Sequence, residues 1–256
     1  MKAKKQRLDI ELTERGHTTS REKAKAFIMA GEVFVNDQVE IKPDRQVSSA
    51  DKIEVKVKNQ YVSRGAFKLE KAIKDFNFDL RRKKVLDIGI SNGGFADYML
   101  KNGIDRITGV DVNINQVDYS LRKNDKVTLL KMNARFLKPQ HIGFKPELIT
   151  IDVSFISVTK IFEALVDFED VEIISLIKPQ FEAEKGRVGK GGVIKSVEKR
   201  VEIVLRIKKE LEKMNYSIIN FTKAGIAGKK GNQEFFFHLK YGINDSIDDK
   251  IIINGI

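Results

Sequence analysis

Apolar and polar positions in the first 57 residues alternate first with a helical period and then with a strand period. They predict two helices and two strand-forming stretches, at residues 7–12, 21–30, 33–39 and 52–57. Thr19 and Ser20 offer an N-cap for the second helix and Gly31 a stop, while Asn36 and Asp37 favour a turn within the first strand-forming stretch. The pattern predicts a small α+β unit at residues 1–57, followed by a short linker at residues 58–61.

From residue 84 onward, the pattern alternates strands with helices. Strands are predicted at residues 84–88, 106–111, 127–132, 148–152 and 171–177, and helices near residues 94–102, 116–122, 157–168 and 197–214. Two more strands, at residues 217–222 and 234–239, predict an antiparallel hairpin at the edge of the sheet. This order is typical of a Rossmann-like α/β fold, a mostly parallel sheet with helices on both faces. The tail at residues 242–256 is assigned no structure.

The charge balance indicates a polyanionic partner. The chain carries 47 Lys and Arg against 36 Asp and Glu, a net charge of +11, which favours nucleic acid first and an anionic membrane second. The absence of cysteine excludes disulfides and thiolate metal sites. Since no run of about 18 apolar residues and no signal-peptide pattern is present, we expect a soluble, cytoplasmic protein without stable membrane association.

A glycine loop closes the first strand of the α/β part and opens its first helix. The string Asp87-Ile88-Gly89-Ile90-Ser91-Asn92-Gly93-Gly94-Phe95 lacks both the spacing of pyrophosphate binders and the lysine of a P-loop. S-adenosylmethionine carries no phosphate, so a loop with glycines and no phosphate-binding lysine suits it. The alternative is that the glycines only shape a tight connection between strand and helix and bind no ligand. Asp111 ends the second strand, where a carboxylate can bind ribose hydroxyls. The residues assigned to this cofactor are Asp87, Gly89, Ser91, Gly93, Gly94, Phe95, Asp111 and Asn133.

Four ionisable residues are expected at the working edge of the sheet. Asp152 and Lys178 end strands, Glu234 begins the last strand, and Lys68 lies on a helix before the sheet. A ribose 2′-hydroxyl is a poor nucleophile and needs a positioned base. A lysine can act as that base when a second ammonium and partial burial lower its pKa, and carboxylates are then needed to hold the two lysines together. A single Lys or Glu usually forms only a surface ion pair, so it is the four residues together that indicate this chemistry.

No metal is expected, because the three histidines have no ligand spacing. They are His17, His141 and His238, and they lie far apart in the sequence.

The N-terminal unit resembles the alpha-L RNA-binding domain known from ribosomal protein four. The resemblance rests on Arg7-Leu8-Asp9, on Ser20-Arg21-Glu22-Lys23-Ala24 and on Gly31-Glu32-Val33-Phe34-Val35-Asn36, and it covers most of residues 5–57. It implies a module that reads RNA shape and positions a catalytic domain. The candidates for phosphate contacts are Arg7, Arg21, Lys23 and Lys25.

The rest of the chain resembles the TlyA family, which joins an alpha-L domain to an FtsJ-type catalytic domain and methylates ribosomal RNA. The strings that carry the resemblance are Val62-Ser63-Arg64-Gly65, Asp152-Val153-Ser154-Phe155 and Lys178-Pro179-Gln180-Phe181-Glu182. Ala66-Phe67 and Ile90 depart from the usual family residues without removing a chemical group. The resemblance implies an S-adenosylmethionine-dependent methyltransferase domain at residues 62–241 that acts on a ribose 2′-hydroxyl of ribosomal RNA, with cytidine as the nucleoside.

The resemblance also implies roles for the four ionisable residues, which match the Lys-Asp-Lys-Glu set of FtsJ-type enzymes. Lys178 would be the base, Asp152 and Glu234 would orient the lysines, and Lys68 would tune Lys178 and hold the ribose. A basic, glycine-rich stretch at residues 178–200 is typical of a loop that clamps an RNA backbone. The RNA-binding candidates in this stretch are Lys185, Arg187 and Lys190. Arg64, from the string Val62-Ser63-Arg64-Gly65, is a further candidate.

Two other functions stay open at this point. A catalytically inactive RNA-binding factor for ribosome assembly would keep the basic surfaces without the chemistry. A membrane-active haemolysin fits the historical label of the family and the positive charge, although no amphipathic segment stands out for insertion. The oligomeric state is not predicted.

Overall fold

The computed structural model describes residues 5–55, 61–183, 191–228 and 231–256. The chain divides into two units, Met1–Gln60 and Tyr61–Ile256. Most of the predicted linker at residues 58–61, and the RNA-binding candidates Lys185, Arg187 and Lys190, lie outside the described residues.

The N-terminal unit consists of two helices and short strands. Its elements are β1 (Lys5–Arg7), α1 (Leu8–Glu14), α2 (Arg21–Met29), β2 (Val33–Val35), β3 (Gln38–Glu40), β4 (Gln46–Ser48) and β5 (Ile53–Val55). The Ser20 hydroxyl accepts a hydrogen bond from the Lys23 amide (3.2 Å), the predicted N-cap of α2. Asn36 and Asp37 both take positive φ, so the predicted strand at 33–39 is a tight hairpin of β2 and β3.

The second unit is built on a seven-stranded sheet. Its helices are α3 (Gly65–Asp75), α4 (Gly94–Lys101), α5 (Tyr119–Arg122), α6 (Thr159–Phe162), α7 (Pro179–Glu182), α8 (Val197–Lys213) and α9 (Asp249–Gly255). Its strands are β6 (Lys84–Ile88), β7 (Arg106–Asp111), β8 (Val127–Lys131), β9 (Leu148–Ile151), β10 (Glu172–Ile177), β11 (Tyr216–Lys223) and β12 (Phe235–Tyr241). Their order across the sheet is β11-β12-β10-β9-β6-β7-β8. The predicted Rossmann-like fold is therefore confirmed.

Strand β12 runs antiparallel to both of its neighbours, β10 and β11, whereas β10, β9, β6, β7 and β8 are mutually parallel. The predicted antiparallel hairpin of β11 and β12 therefore forms the edge of the sheet, with β11 outermost and β12 paired with β10. Because β12 is antiparallel to β10, the amino end of β12 lies at the same edge of the sheet as the carboxyl ends of β9 and β10.

Both faces of the sheet are covered by apolar side chains. Three consecutive phenylalanines in β12 illustrate this: Phe235 and Phe237 pack into the core on one face, and Phe236 packs into the core on the other. All three are fully buried. Because successive side chains of a strand point to opposite faces, such a run requires a sheet sandwiched between helices, and each ring contributes about 1.5–3 kcal/mol by burial.

Three predicted segments differ from the structure. The predicted helix at 157–168 is helical only at Thr159–Phe162, after which turns such as Leu165 N–H to Phe162 C=O bury the same apolar side chains. The predicted helix at 116–122 is a 3₁₀ turn, Ile114–Gln116, followed by α5. The tail is not structureless, since it forms α9.

Helix α9 is held to the sheet domain by a buried lysine. The Lys208 ammonium of α8 lies 2.7 Å from Asp249 and 3.0 Å from Glu212, and Ile252 is fully buried. Over the described ranges, no helix combines the length and the apolar character needed to cross a membrane.

Candidate active site

The glycine loop between β6 and α4 runs directly against the end of β9. Gly89 has φ +84°, and a Cβ placed there would lie 2.4 Å from the carbonyl oxygen of Asp152. Gly93 has φ +95°, and its Cβ would lie 2.0 Å from Leu121 Cδ1. The positive φ favours glycine at both positions, and at Gly89 the close approach of the Asp152 backbone requires it.

Two acidic residues flank this loop in different environments. The Asp111 carboxylate accepts hydrogen bonds from the Ser91 and Asn113 amides (3.0 and 2.9 Å), so it links the end of β7 to the loop. Asp87 is buried beneath the loop and accepts a hydrogen bond from the Thr150 hydroxyl (2.6 Å). Burial raises the pKa of Asp87 to about 7, and its second carboxylate oxygen is buried without a partner among the described residues. The Asp87 side chain therefore ties the end of β6 to β9.

A cavity of about 670 Å³ opens over the loop and the ends of the central strands. Three segments form most of its wall, together with Lys68: the turn at residues 63–65, the glycine loop and the stretch at 178–181. The predicted residues that line it are Arg64, Lys68, Gly89, Ser91, Gly94, Phe95, Asp152, Lys178 and Glu234. Asp87, Gly93, Asp111 and Asn133 do not line it; Asp111 is the last residue of β7 and Asn133 follows β8, further along the same edge. The Asn133 side chain accepts a hydrogen bond from the Arg135 amide (3.1 Å).

The four ionisable residues form two ion pairs in the wall of this cavity. The Lys178 ammonium lies 2.5 Å from Asp152 Oδ1, and the Lys68 ammonium lies 2.5 Å from Glu234 Oε2. Lys178 is 8% exposed and Glu234 2%. The ends of β9 and β10 bring Asp152 and Lys178 together, while the antiparallel β12 brings Glu234 to the same edge, immediately before its first residue. The set is neutral overall, two ammonium groups against two carboxylates.

Neutral polar side chains complete the two pairs. The Lys178 ammonium donates to the Ser154 hydroxyl (2.9 Å), and the Gln180 amide donates to Glu234 Oε1 (3.0 Å). Neither residue was singled out as a candidate. The only signal was their presence in the strings around Asp152 and Lys178, because a neutral residue adds nothing to a charge pattern.

Two aromatic side chains also lie at the cavity, and neither was predicted as a site residue. Phe155 is 91% exposed with φ +64°, and its ring centroid lies 4.9 Å from that of Phe181. A large apolar side chain held outward in a left-handed conformation is uncommon, and its place beside Asp152 makes it available to a ligand.

The stretch from 178 to 182 is anchored at its far end. The Glu182 carboxylate accepts hydrogen bonds from the Ser157 hydroxyl (2.6 Å) and the Val158 amide (2.8 Å). Burial raises the pKa of Glu182. These bonds join the loop that follows Asp152 to the stretch that follows Lys178, so that the cavity wall forms a continuous unit.

In the N-terminal unit, a buried carboxylate holds two arginines. Asp9, fully buried, lies 3.0 Å from Arg7 and 2.9 Å from Arg21. Burial raises the pKa of Asp9, but the hydrogen bonds and charges of the two arginines together outweigh burial, so its pKa is lowered. The arginine side chains remain 38% and 45% exposed. Lys23 and Lys25 lie on the same helix as Arg21, and Lys23 Nζ is 6.0 Å from the ring of Phe27. In the described ranges, no group of three His, Cys, Asp or Glu side chains is arranged to hold a metal ion.

The sheet order, the glycine loop and the lysine–carboxylate cavity together define a Rossmann-like methyltransferase. Residues 61–241 match the family described as FtsJ-like methyltransferase. The chain belongs to this family.

Two named relatives and one solved structure cover nearly the whole chain. A Mycobacterium tuberculosis protein named 16S/23S rRNA (cytidine-2′-O)-methyltransferase TlyA is 35% identical over 243 residues, 93% of this chain and 91% of the relative. A Brachyspira hyodysenteriae protein named Hemolysin A is 39% identical over 236 residues, 91% of this chain and 98% of the relative. A solved structure from Streptococcus thermophilus, also named as a hemolysin, superposes with a TM-score of 0.75 at 32% identity and covers 98% of this chain and 95% of its own.

Proposed function

We propose that this methyltransferase transfers a methyl group from S-adenosylmethionine to the 2′-hydroxyl of a cytidine in ribosomal RNA. The observation that carries the proposal is the pair of lysine–carboxylate contacts in one cavity beside the glycine loop. The name of the Mycobacterium tuberculosis relative supports the substrate. Because the substrate is ribosomal RNA, we infer that the enzyme acts in the cytoplasm.

The cavity fits S-adenosylmethionine in size and in the chemistry of its wall. Its volume of about 670 Å³ suits a nucleoside-sized ligand. Gly89, Ser91, Gly93, Gly94 and Phe95 would contact the cofactor through backbone and ring, Asp111 would accept hydrogen bonds from its ribose, and Asn133 would meet its adenine. Asp87 would support the loop. The bound cofactor supplies a methyl group activated by the sulfonium charge.

The protein's own residues would activate the acceptor. Lys178, after losing its own proton to solvent, would take the proton of the 2′-hydroxyl, and general base catalysis of this kind contributes about 10²–10⁴-fold. Asp152 and Ser154 hold the Lys178 amine. Glu234 holds Lys68, whose ammonium binds the ribose and opposes a second positive charge on Lys178. Exposed Phe155 offers a face on which the target base can stack.

The N-terminal unit would bind the RNA. We assign residues 1–57 to an alpha-L RNA-binding domain, 58–61 to a linker, 62–241 to the catalytic domain and 242–256 to a C-terminal tail. Asp9 fixes Arg7 and Arg21 as a pair that leaves both guanidinium groups accessible to phosphate. Lys23 and Lys25 add charge on the same helix, and Arg64 does so at the cavity.

The test is a map of 2′-O-methyl groups in ribosomal RNA from cells with and without the protein, repeated with Lys178→Ala. We expect a cytidine methylation that disappears in the deletion strain and in Lys178→Ala, while RNA binding by the variant is kept. Lys145→Ala, which removes an exposed lysine paired with Asp170, serves as the control and keeps full methylation. An unchanged map in the deletion strain would overturn the proposal. Normal ribosome assembly with Lys178→Ala but not in the deletion strain would identify an assembly role instead.

A further inference from the structure

Both carboxylates of the site are reached from a single stretch of three residues. Lys178, the last residue before α7, contacts Asp152, and Gln180, two positions later, contacts Glu234. The stretch Lys178–Gln180 thus spans both ion pairs. A shift of this stretch that disturbs one pair disturbs the other, and Gln180 is the link to the second.

The surroundings of Glu234 leave Gln180 as the partner of one carboxylate oxygen. Lys68 occupies Oε2, while Oε1 accepts the Gln180 amide at 3.0 Å. Gly228 covers Oε1 so closely that a Cβ on Gly228 would lie 2.1 Å from it. With Glu234 at 2% exposure, water has little access to replace a lost donor, so the carboxylate would turn towards another partner.

The other end of the Gln180 side chain indicates that this arrangement has a cost. Gln180 Oε1 is buried and has no hydrogen-bond partner in the described parts of the chain. A buried orphan acceptor is unfavourable, and an apolar side chain at this position would avoid it. The amide donates to Glu234 without adding a charge to a set that is already balanced.

We propose that Gln180 is a positioning residue for methyl transfer, which holds Glu234 in register with Lys68 and couples that pair to the stretch carrying Lys178. The proposal rests on the proposed function. It predicts that Gln180→Leu lowers kcat about 10–100-fold with the KM for the cofactor unchanged, because misplacing the Lys68–Glu234 pair disturbs the acceptor ribose and not the glycine loop that holds the cofactor.

Gln180→Glu provides a second test with a distinct signature. A glutamic acid that keeps its proton can donate the same hydrogen bond, whereas two ionised carboxylates about 3 Å apart repel and compete for Lys68. We expect kcat of Gln180→Glu relative to wild type to be close to one at pH 6 and to fall at least about 10-fold by pH 9. Gln180→Leu should show a ratio that does not change with pH.

Stability measurements test the contact independently of activity. Gln180→Glu should bind one additional proton in the folded state, so its unfolding midpoint in urea should fall more steeply with rising pH than that of wild type. Gln140→Glu adds the same charge at an exposed position and should leave the slope unchanged.

These measurements distinguish a failure of the proposed function from a failure of the role of Gln180. If wild-type protein shows no methyl transfer but the urea midpoint of Gln180→Glu falls more steeply with pH, the proposed function is overturned and the contact between Gln180 and Glu234 is supported. Active wild type, with kcat of Gln180→Leu within twofold and a flat pH ratio for Gln180→Glu, would overturn the role of Gln180.

Discussion

The contact between the glycine loop and the end of β9 predicts a large effect of one methyl group. In Gly89→Ala, the new Cβ would lie 2.4 Å from the carbonyl oxygen and 2.9 Å from the carbonyl carbon of Asp152. Both are backbone atoms, so no rotamer change relieves the overlap. The substitution also forces alanine to keep φ +84°, which costs about 1–2 kcal/mol.

The magnitude follows from these two effects. Overpacking against a buried backbone costs about 1–3 kcal/mol, which brings the expected loss of unfolding free energy to about 2–5 kcal/mol. Relief requires the loop and the backbone of Asp152 to separate by up to about 1 Å, and a displacement of that size costs about 100-fold in rate. We therefore expect kcat to fall about 100-fold in molecules that remain folded.

Urea unfolding and methyl transfer to ribosomal RNA, measured below the unfolding transition, test both numbers. Gly143→Ala is the matched control, because Gly143 has φ +74° and nothing within 4 Å of its added Cβ. It isolates the backbone strain, about 1–2 kcal/mol, and should leave kcat unchanged. Equal losses of stability in the two variants, or wild-type kcat in Gly89→Ala, would refute the reasoning.

Three further predictions concern other parts of the molecule. Phe155→Ala should raise the KM for RNA about 5–150-fold, since stacking on a base contributes about 1–3 kcal/mol. The urea midpoint should stay unchanged, because the ring is 91% exposed; unchanged RNA binding would count against the stacking role. Burial lowers the pKa of His238 below 6.5, so the unfolded chain binds protons more readily and His238 contributes stability above about pH 6.5 that is lost as pH falls. Burial raises the pKa of Asp87 to about 7, so the stability that Asp87 contributes falls as pH rises. To separate the two groups, the test is the difference in urea midpoint between wild type and His238→Phe from pH 5 to 8; a difference that does not change with pH would refute the prediction. Lys208→Ala should speed amide exchange in α9 relative to the exposed control Lys209→Ala, because the ammonium holds Asp249; equal exchange would show that Ile252 alone suffices.

Local patterns were enough to predict most of the parallel sheet. Strands such as β6 and β7 are short apolar runs with polar residues where the sheet ends, and the rule that ligands bind beyond the carboxyl ends of parallel strands indicated where Asp152 and Lys178 would meet. What depends on distant partners was not predicted. Helix α9 is fastened by Lys208, 41 positions before Asp249, and the tail alone gave no reason to expect it.

The neutral members of the site were missed for a related reason. Gln180 contacts Glu234, 54 positions later, through a bond that no charge or hydrophobic period signals. The helix expected at residues 157–168 ends at Phe162, because turns bury Leu165 and Phe168 as well as a longer helix would. Periodicity indicates which side chains are buried, and it leaves the backbone path to tertiary packing.

The position of β12 has a consequence for when the enzyme becomes active during its synthesis. Chains are made from the amino end, and domains fold as their residues become available. Lys68 pairs with Glu234, which is synthesised 166 positions later. The strand that follows Glu234, β12, must then insert between β10 and β11. A nascent chain that ends at residue 228 would carry the glycine loop, Asp152 and Lys178 but no completed second ion pair. Catalytic competence therefore requires that translation has passed Glu234 and β12, and premature termination before the end of β12 would yield a protein that retains its N-terminal unit and lacks the second ion pair.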